Sequence, residues 1–508
     1  MTELQATTTA GLVQGEATPE GVVFRGIPFA APPVGDLRHA PPAPAEAWEG
    51  VRDCTAFGPV CPQVQLGDLG GVLAALGSGE PMDEDCLFLN VWTPSVEPDA
   101  KRPTMVFIHG GAFRGGSGST PLYDGAAFAR DGVVLVTLNY RLHALGFLYL
   151  DELFEGASGT GNLGILDQIA ALRWVRDNIA AFGGDPDNVT IFGESAGAMS
   201  VGTLLGTPAA DGLYRRAILQ SGAARHNLRP DTATRVARRT LELLGVEPGD
   251  WPALRAVPAD VIVGAATQVG MLEAGAVLGD ELALRMPYMP VVDGVTRDRL
   301  PVEAVADGAA REVDLLVGTN AEEWRLFIWG LPEPMRAAIG APDPSPWFAT
   351  SGRAVDDVVK TYAEARPQAE EIDVLCAIES DQIFGVPAVR LAEAQLPHNP
   401  NVWSYRFSWR TPVLEGTLGA CHALELPFVF ETFECSRELV GDEAPVELAR
   451  EMHGAWVRFA ASGDPNGGAL PEWPAYDTER RAVMDLGASP SVVEDPDAAE
   501  RQLWDGIW

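Results

Sequence analysis

The sequence predicts an α/β fold in which helices flank a large, mixed and mostly parallel sheet. Two apolar runs rich in β-branched residues, 104–108 and 189–192, have the length and composition of buried strands. Each run ends in a glycine-containing turn, and a segment of small residues typical of a helix, 196–205, follows the second run. This succession of buried strand, turn and helix is the one that sheets of α/β proteins require.

Residues 193–197 read Gly-Glu-Ser-Ala-Gly, a G-x-S-x-G motif between the second predicted strand and the predicted helix. Side chains would collide in so tight a turn, which is why glycines stand two residues on either side of Ser195. The turn lifts the serine hydroxyl above the sheet at a helix N-terminus, where N–H groups and the helix dipole stabilise negative charge. An incidental serine in a turn is the alternative, but the flanking strand and helix favour a nucleophile.

A glycine loop, 109–113, follows the first predicted strand and has the form of the HGG-type loops that bind an oxyanion. Glycines let the backbone approach a substrate closely and point successive N–H groups at one spot. The N–H groups of Gly110, Gly111 and Ala196 would supply three donors. A flexible turn is the alternative, because glycines continue over 115–118.

A serine nucleophile needs a general base, and the expected chain order is serine, acid, histidine. Of the seven histidines, His398, His422 and His453 lie far enough downstream. His453 lies in an amphipathic helical pattern, which predicts helix packing or surface, and His398 lies in a proline-flanked turn. His422 lies in a loop that leads into an apolar run, and we predict it as the base.

The acid is expected at the end of a late core strand predicted over 314–320. Glu322 and Glu323 follow that strand at its carboxyl end, where open α/β sheets hold their functional groups. A carboxylate there would fix the tautomer of the imidazole and stabilise the imidazolium. The residues alone do not choose between the two glutamates, and without the nucleophile and the base both would be interpreted as solvated surface residues.

Together these motifs resemble those of the type-B carboxylesterase family, which includes the cholinesterases, and they are most similar to bacterial p-nitrobenzyl esterases. The resemblance covers nearly the whole chain. It is carried by residues 24–38, 84–92, 109–113, 138–141, 161–168, 182–186, 193–197, 422–430 and 462–466. It implies an α/β-hydrolase fold and a serine carboxylesterase that works through an acyl-enzyme intermediate without a cofactor.

The resemblance also implies roles for single residues. It assigns the catalytic acid to Glu323, although Trp324 stands where the family usually has glycine and would reshape the wall of the substrate gorge. A supporting buried polar network is implied at Glu194, Ser200 and Glu425. A disulfide that closes a loop beside the gorge is implied between Cys61 and Cys86.

The substrate class is predicted from residues 62–85. In cholinesterases the corresponding loop carries a tryptophan that holds the choline cation by a cation–π contact, whereas here it contains no aromatic residue. We therefore predict neutral short- to medium-chain acyl and aryl esters as substrates. The alternatives are an amidase or carbamate hydrolase on the same triad, and a non-enzymatic adhesion or scaffold protein, which usually lacks a triad member.

The chain of 508 residues shows no linker or internal repeat, so we predict one domain, 1–508. Helical insertions at roughly 225–310 and 330–400 are expected to form the substrate gorge.

A net charge of −35 argues against binding to nucleic acid and to anionic membranes. We expect the protein to bind a small-molecule ester as its substrate. We expect it to be a monomer or a weak homo-oligomer.

Neither a metal motif nor a dinucleotide site is predicted. The G-x-G-x-x-G pattern at 159–164 follows a polar stretch and not a strand, and no CxxC or HExxH motif occurs. The N-terminus lacks a signal-peptide pattern and no run approaches ~18 apolar residues, which predicts the bacterial cytoplasm. Six cysteines would be mostly reduced there.

Overall fold

The computed structural model describes residues 4–64, 72, 77, 79–272, 286–330, 344–348 and 353–507. The strands are β1 (Gln5–Thr7), β2 (Leu12–Gln14), β3 (Glu16–Thr18), β4 (Gly21–Pro28), β5 (Val51–Asp53), β6 (Phe88–Thr93), β7 (Arg102–Ile108), β8 (Val134–Leu138), β9 (Gly184–Glu194), β10 (Arg216–Gln220), β11 (Asp314–Asn320), β12 (Val402–Phe407), β13 (Ala482–Leu486) and β14 (Ser491–Glu494). The helices are α1 (Ala126–Arg130), α2 (His143–Phe147), α3 (Leu163–Asn178), α4 (Ala196–Leu205), α5 (Pro230–Leu244), α6 (Trp251–Ala256), α7 (Ala259–Leu272), α8 (Pro301–Ala306), α9 (Arg325–Trp329), α10 (Ser345–Phe348), α11 (Val355–Ala365), α12 (Glu371–Ser380), α13 (Val386–Gln395), α14 (Leu426–Phe430), α15 (Arg437–Val440), α16 (Val446–Ser462) and α17 (Ala498–Leu503).

Of the described strands, eleven form one large sheet in the order β14-β13-β12-β11-β10-β9-β7-β8-β6-β4-β3. Pairing is parallel from β13 through β12, β11, β10, β9 and β7 to β8, and antiparallel at both edges. The prediction of a mixed, mostly parallel sheet is confirmed. A separate small sheet joins β1, β2 and β5.

The central strands are apolar because helices cover both faces of the sheet. Every residue of β6, β8 and β10 is buried, as expected for interior strands covered on both sides. Helix α3 and the 3-10 turn after it bury Ile165, Ile169, Leu172 and Phe182. Helix α4 begins and ends where the sequence predicts.

The parallel strands bring their carboxyl ends to one edge of the sheet. The glycine loop 109–113 follows β7, Ser195 follows β9, and Glu323 follows β11. His422 lies in a loop between β12 and α14. Helices α5 to α8 lie between β10 and β11, and α9 to α13 between β11 and β12. Within the described ranges, every helix is too short or too polar to cross a membrane.

Candidate active site

Ser195 occupies a strained turn between β9 and α4. Its φ of 57° and ψ of −125° are values that a non-glycine residue adopts only when the surrounding structure imposes them. A Cβ atom added to Gly197 would lie 1.9 Å from the carbonyl oxygen of Ile108, and one added to Gly193 would lie 2.5 Å from the carbonyl carbon of Gly197. Both glycines are therefore required for the turn to approach β7, and the half-buried serine is held at the start of α4.

Glu323 and His422 form the closest charged contact of the site. Oε2 of Glu323 lies 2.6 Å from Nδ1 of His422. Oε1 of the same carboxylate accepts a hydrogen bond from the backbone N–H of Asn320 at 2.7 Å, and the backbone N–H of His422 donates to the carbonyl of Glu323 at 3.2 Å. Both side chains are buried. The carboxylate therefore fixes which imidazole nitrogen carries its proton, as a triad acid must.

Glu322 has a different environment, although it is the next residue. Its carboxylate pairs with Arg325 at 3.0 Å and with Arg410, and it accepts a hydrogen bond from the backbone N–H of Ala420 at 3.0 Å. It thus lies on the outer side of the histidine loop. The structure brings Glu323, and not Glu322, to His422.

The second nitrogen of the imidazole faces the residue before the serine. Nε2 of His422 lies 3.0 Å from Oε1 of Glu194, a side chain that is 3% exposed. Among the described residues, Oγ of Ser195 forms no hydrogen bond. Catalytic hydrogen bonds are often long in free enzymes and tighten when substrate binds. The sequence did not predict the direct contact between Glu194 and His422.

Burial and the neighbouring charges shift the pKa values of His422 and Glu194 in opposite directions, and they shift that of Glu425 in the same direction. Burial by itself lowers the pKa of His422, but the carboxylates of Glu194 and Glu323 outweigh it and raise that pKa well above its ordinary value. Burial raises the pKa of Glu194, an effect that His422 partly offsets. Burial, with repulsion from Glu194 and Glu323, raises the pKa of Glu425 to about 8. Burial and these two neighbours therefore favour the protonated form of Glu425, which would limit the negative charge of the cluster.

The glycine loop lies directly against the serine. A Cβ atom on Gly110 would lie 3.0 Å from Cβ of Ser195 and 2.7 Å from the carbonyl oxygen of Glu194. Gly111 has a φ of 107°, and a Cβ there would lie 2.2 Å from the carbonyl oxygen of Gly115. Among the described residues, no acceptor takes the N–H groups of Gly110, Gly111 or Ala196. These N–H groups are therefore available to a ligand.

His109, at the start of this loop, supports the backbone. Its Nδ1–H donates to the carbonyl of Gly110 at 2.8 Å, and its ring stacks on Tyr140 with the ring centroids 4.4 Å apart. The hydroxyl of Tyr140 donates to the carbonyl of His109 at 2.9 Å. Burial lowers the pKa of His109 to about 4, so the side chain is neutral and structural.

Among the described residues, the three predicted supporting side chains form hydrogen bonds with other partners and not with one another. Glu425 accepts hydrogen bonds from the side-chain amides of Asn320 at 2.6 Å and Gln220 at 3.1 Å. Ser200 accepts one from Gln168 at 3.0 Å, and in the described part of the chain no hydrogen bond joins it to Glu194 or Glu425. Glu194 contacts the imidazole instead.

Sequence reasoning missed residues that complete the buried polar cluster. The side-chain oxygen of Gln220 accepts from the indole N–H of Trp456 at 3.0 Å, and Asn320 also donates to the carbonyl of Cys421 at 2.7 Å. Gln220 ends β10 and Asn320 ends β11. The position of these amides at the carboxyl ends of parallel strands was a signal that could have identified them.

Aromatic rings cover the remaining faces of His422. The ring centroids of Phe384 and Phe327 lie 4.8 Å and 5.1 Å from that of the imidazole. Trp324 packs on Phe327 at 4.7 Å, and its backbone N–H donates to Oγ of Ser380 at 3.0 Å. Trp324, which stands where the family usually has glycine, therefore packs behind Phe327 and adds a third ring to the aromatic wall beside His422. Phe327 and Phe384 were not singled out from the sequence.

The cysteines are thiols in the structure. Cys61 and Cys86 are buried side by side, and the hydrogen bond to Cys61 raises the pKa of Cys86. The disulfide between Cys61 and Cys86 therefore stays a prediction, and the two thiols lie next to each other in the structure. Within the described ranges, no cluster of histidine, cysteine and carboxylate side chains has the composition of a metal site.

Comparison with known proteins adds independent evidence. A sequence model of the carboxylesterase family matches residues 2–504. The chain is 40% identical to the para-nitrobenzyl esterase of Bacillus subtilis (strain 168), with 99% of this chain and 98% of the relative aligned. It is 35% identical to the phenmedipham hydrolase of Pseudarthrobacter oxydans, with 95% and 94% aligned.

Solved structures agree with the sequence relatives. A carboxylesterase of Geobacillus stearothermophilus superposes with a TM-score of 0.84 at 41% identity, over 99% of this chain and 100% of that one. A PNB esterase structure superposes with a TM-score of 0.86 at 38% identity, over 99% of each chain. The α/β-hydrolase fold is thus shared along the full length of the described chain.

Proposed function

The chain belongs to the carboxylesterase family and is a serine-type carboxylic ester hydrolase, and we propose that Ser195, His422 and Glu323 form its catalytic triad. One observation carries this assignment. The 2.6 Å contact between Glu323 and His422 lies at the edge of the sheet where the strained turn holds Ser195. Nucleophile, base and orienting acid then occur in the chain order of this fold.

In the proposed reaction, Oγ of Ser195 attacks the ester carbonyl carbon while Nε2 of His422 takes the hydroxyl proton. Glu323 stabilises the imidazolium through Nδ1. The N–H groups of Gly110, Gly111 and Ala196 stabilise the oxyanion of the tetrahedral intermediate, each worth roughly 3 kcal/mol in comparable sites. His422 protonates the leaving alcohol, and an acyl-enzyme remains. Water activated by His422 then releases the acid, so the reaction needs no cofactor.

We propose uncharged acyl and aryl esters of short to medium chain length as substrates. The aromatic wall of Trp324, Phe327 and Phe384 beside His422 supports this class, because apolar rings bind apolar acyl and aryl groups. A relative at 40% identity is named for its action on para-nitrobenzyl esters. Much of the aromatic-free loop 62–85, namely 65–71, 73–76 and 78, lies outside the described residues.

The amidase alternative is less favoured, since relatives at 40% and 41% identity are named para-nitrobenzyl esterase and carboxylesterase. Turnover of 4-nitrophenyl butyrate and of the matched butyryl 4-nitroanilide separates the two activities. We expect the ester to be hydrolysed much faster. A series of 4-nitrophenyl esters of rising acyl length should show its highest kcat/KM at short to medium chains.

The triad is tested by replacing its nucleophile. Ser195→Ala should fold normally, because the change is small, and should lose nearly all turnover of 4-nitrophenyl butyrate. A fluorophosphonate probe should label the wild-type enzyme at Ser195, as mapped by mass spectrometry. Ser462→Ala, at the exposed end of α16, is the matched control and should keep full activity and labelling. A label mapped to another residue would contradict the mechanism.

A further inference from the structure

Arg114 lies one turn from the proposed oxyanion loop. Its backbone N–H donates to the carbonyl of Gly111 at 2.9 Å. Such a turn keeps the two Cα atoms within about 7 Å of each other. Gly110, the preceding residue of the loop, is in contact with Ser195. The guanidinium is therefore carried by the same short segment that would bind the oxyanion.

The guanidinium is partly buried against helix α7. Its Nη1 lies 2.9 Å from the position that a Cβ atom on Gly270 would occupy, and its Cδ lies 3.8 Å from that position. Glycine at position 270 thus makes room for the cation. The nearby Tyr288 shares its hydroxyl with Thr240 at 2.7 Å, so that hydroxyl already has a partner.

No carboxylate of the described chain neutralises this cation. In a protein with 71 acidic and 36 basic residues, other arginines readily find partners, as the buried pair of Arg141 and Asp167 at 2.7 Å shows. Across the ranges that the structure describes, the guanidinium of Arg114 forms neither an ion pair nor a hydrogen bond. Burial lowers its pKa, which agrees with a cation that has lost solvation and has no carboxylate partner among the described residues.

A planar guanidinium that lacks a partner among the described residues can bind a carboxylate through two parallel hydrogen bonds. We propose that Arg114 binds a free carboxylate carried by the ester substrate, at the end remote from the ester bond. This inference rests on the proposed function and extends its substrate class from uncharged esters to esters that also carry an acid group. The ester bond is broken as before, and the remote carboxylate stays ionised throughout.

Two matched substrate pairs test the inference. On the acyl side, the mono-4-nitrophenyl ester of adipic acid is compared with its uncharged primary amide analogue. On the alcohol side, 4-carboxyphenyl butyrate is compared with 4-carbamoylphenyl butyrate. The ratio of kcat/KM for acid over amide is measured at about 0.15 M salt, where the field of distant charges is screened beyond ~8 Å.

The enzymes compared are the wild type, Arg114→Met, Arg114→Lys and Arg299→Met. Arg299 is half-exposed and paired with Asp298 and Asp307, so its replacement removes the same charge without touching the site. Fluorophosphonate titration gives the concentration of folded active sites in each preparation. Arg114→Gln replaces the methionine variant if that variant does not fold.

We expect the acid-to-amide ratio of at least one pair to fall about tenfold or more in Arg114→Met, since a hydrogen-bonded charge is lost. Arg114→Lys should keep most of the preference, and Arg299→Met should keep all of it. Ratios within twofold of the wild type for both pairs in Arg114→Met would overturn the inference, and so would an equal loss in Arg299→Met. Failure of the proposed function would appear differently, as absent turnover of the uncharged amides by the wild type.

Discussion

The imidazole of His422 lies between two buried carboxylates, with Nε2 3.0 Å from Oε1 of Glu194 and Nδ1 2.6 Å from Oε2 of Glu323. Glu323 orients the ring, whereas Glu194 is the residue next to the proposed nucleophile. Both negative charges favour the imidazolium and raise the pKa of His422. Since the proposed base His422 can accept the serine proton only when it is neutral, we expect these contacts to set the pH at which the enzyme becomes active.

Glu194→Gln should move the pH profile to lower pH. Activity rises with pH as His422 loses its proton, and removing one carboxylate destabilises the imidazolium, so the pKa of His422 falls. We expect the rising limb of kcat/KM for 4-nitrophenyl butyrate to shift down by about one pH unit or more. The exposed Glu472, changed to Gln, serves as the control and should leave the limb in place. A shift to higher pH would show that Glu194 does not act on His422 by charge.

Glu323→Gln should lower kcat by roughly 10⁴-fold, because an amide can donate to Nδ1 and thereby select the wrong tautomer. Glu322→Gln, the neighbouring matched variant, should cost less than about tenfold, since Glu322 pairs with Arg325 and Arg410 and not with the imidazole. Both values come from steady-state kinetics on 4-nitrophenyl butyrate. The opposite order of effects would mean that Glu322 is the acid.

Thiol labelling should distinguish Cys435 from Cys421. Cys435 is exposed, so a maleimide should modify it first in the native enzyme and leave the activity intact. Cys421 is buried beside His422, and burial raises the pKa of its thiol, so it should react slowly. Modification there should abolish activity by crowding the site. Peptide mapping alongside activity measurements checks both statements, and full activity in enzyme modified at Cys421 would refute the second.

Choline esters should show no advantage over uncharged esters of equal size. The part of loop 62–85 that is described, like the rest of that sequence, offers no aromatic ring to a cation. The test compares kcat/KM for butyrylcholine and for its uncharged 3,3-dimethylbutyl analogue at moderate salt. A preference for choline above about tenfold, or ~1.4 kcal/mol, would show that another group binds the cation.

Many strands, turns and helices of the fold could be predicted because the sequence pattern that defines each of them spans only a few neighbouring residues. The strand at Asp314–Asn320 and the helix at Ala196–Leu205 have the predicted bounds, since apolar runs and glycine turns act within a few residues. The glycines around Ser195 were predictable for the same reason. The cytoplasmic location, the single domain with its insertions and the oligomeric state stay predictions.

The sequence by itself determined the fold class and predicted the nucleophile, the glycine loop and a preferred base, because each has a pattern that adjacent residues define. Only the tertiary structure brought Glu323 rather than Glu322 to His422 and placed Glu194 on its second nitrogen. It also assembled Gln220, Asn320 and Phe384 around the site. The physical reason is that parallel strands distant in sequence meet at one edge of the sheet, where a register change of one residue decides which side chain faces inward.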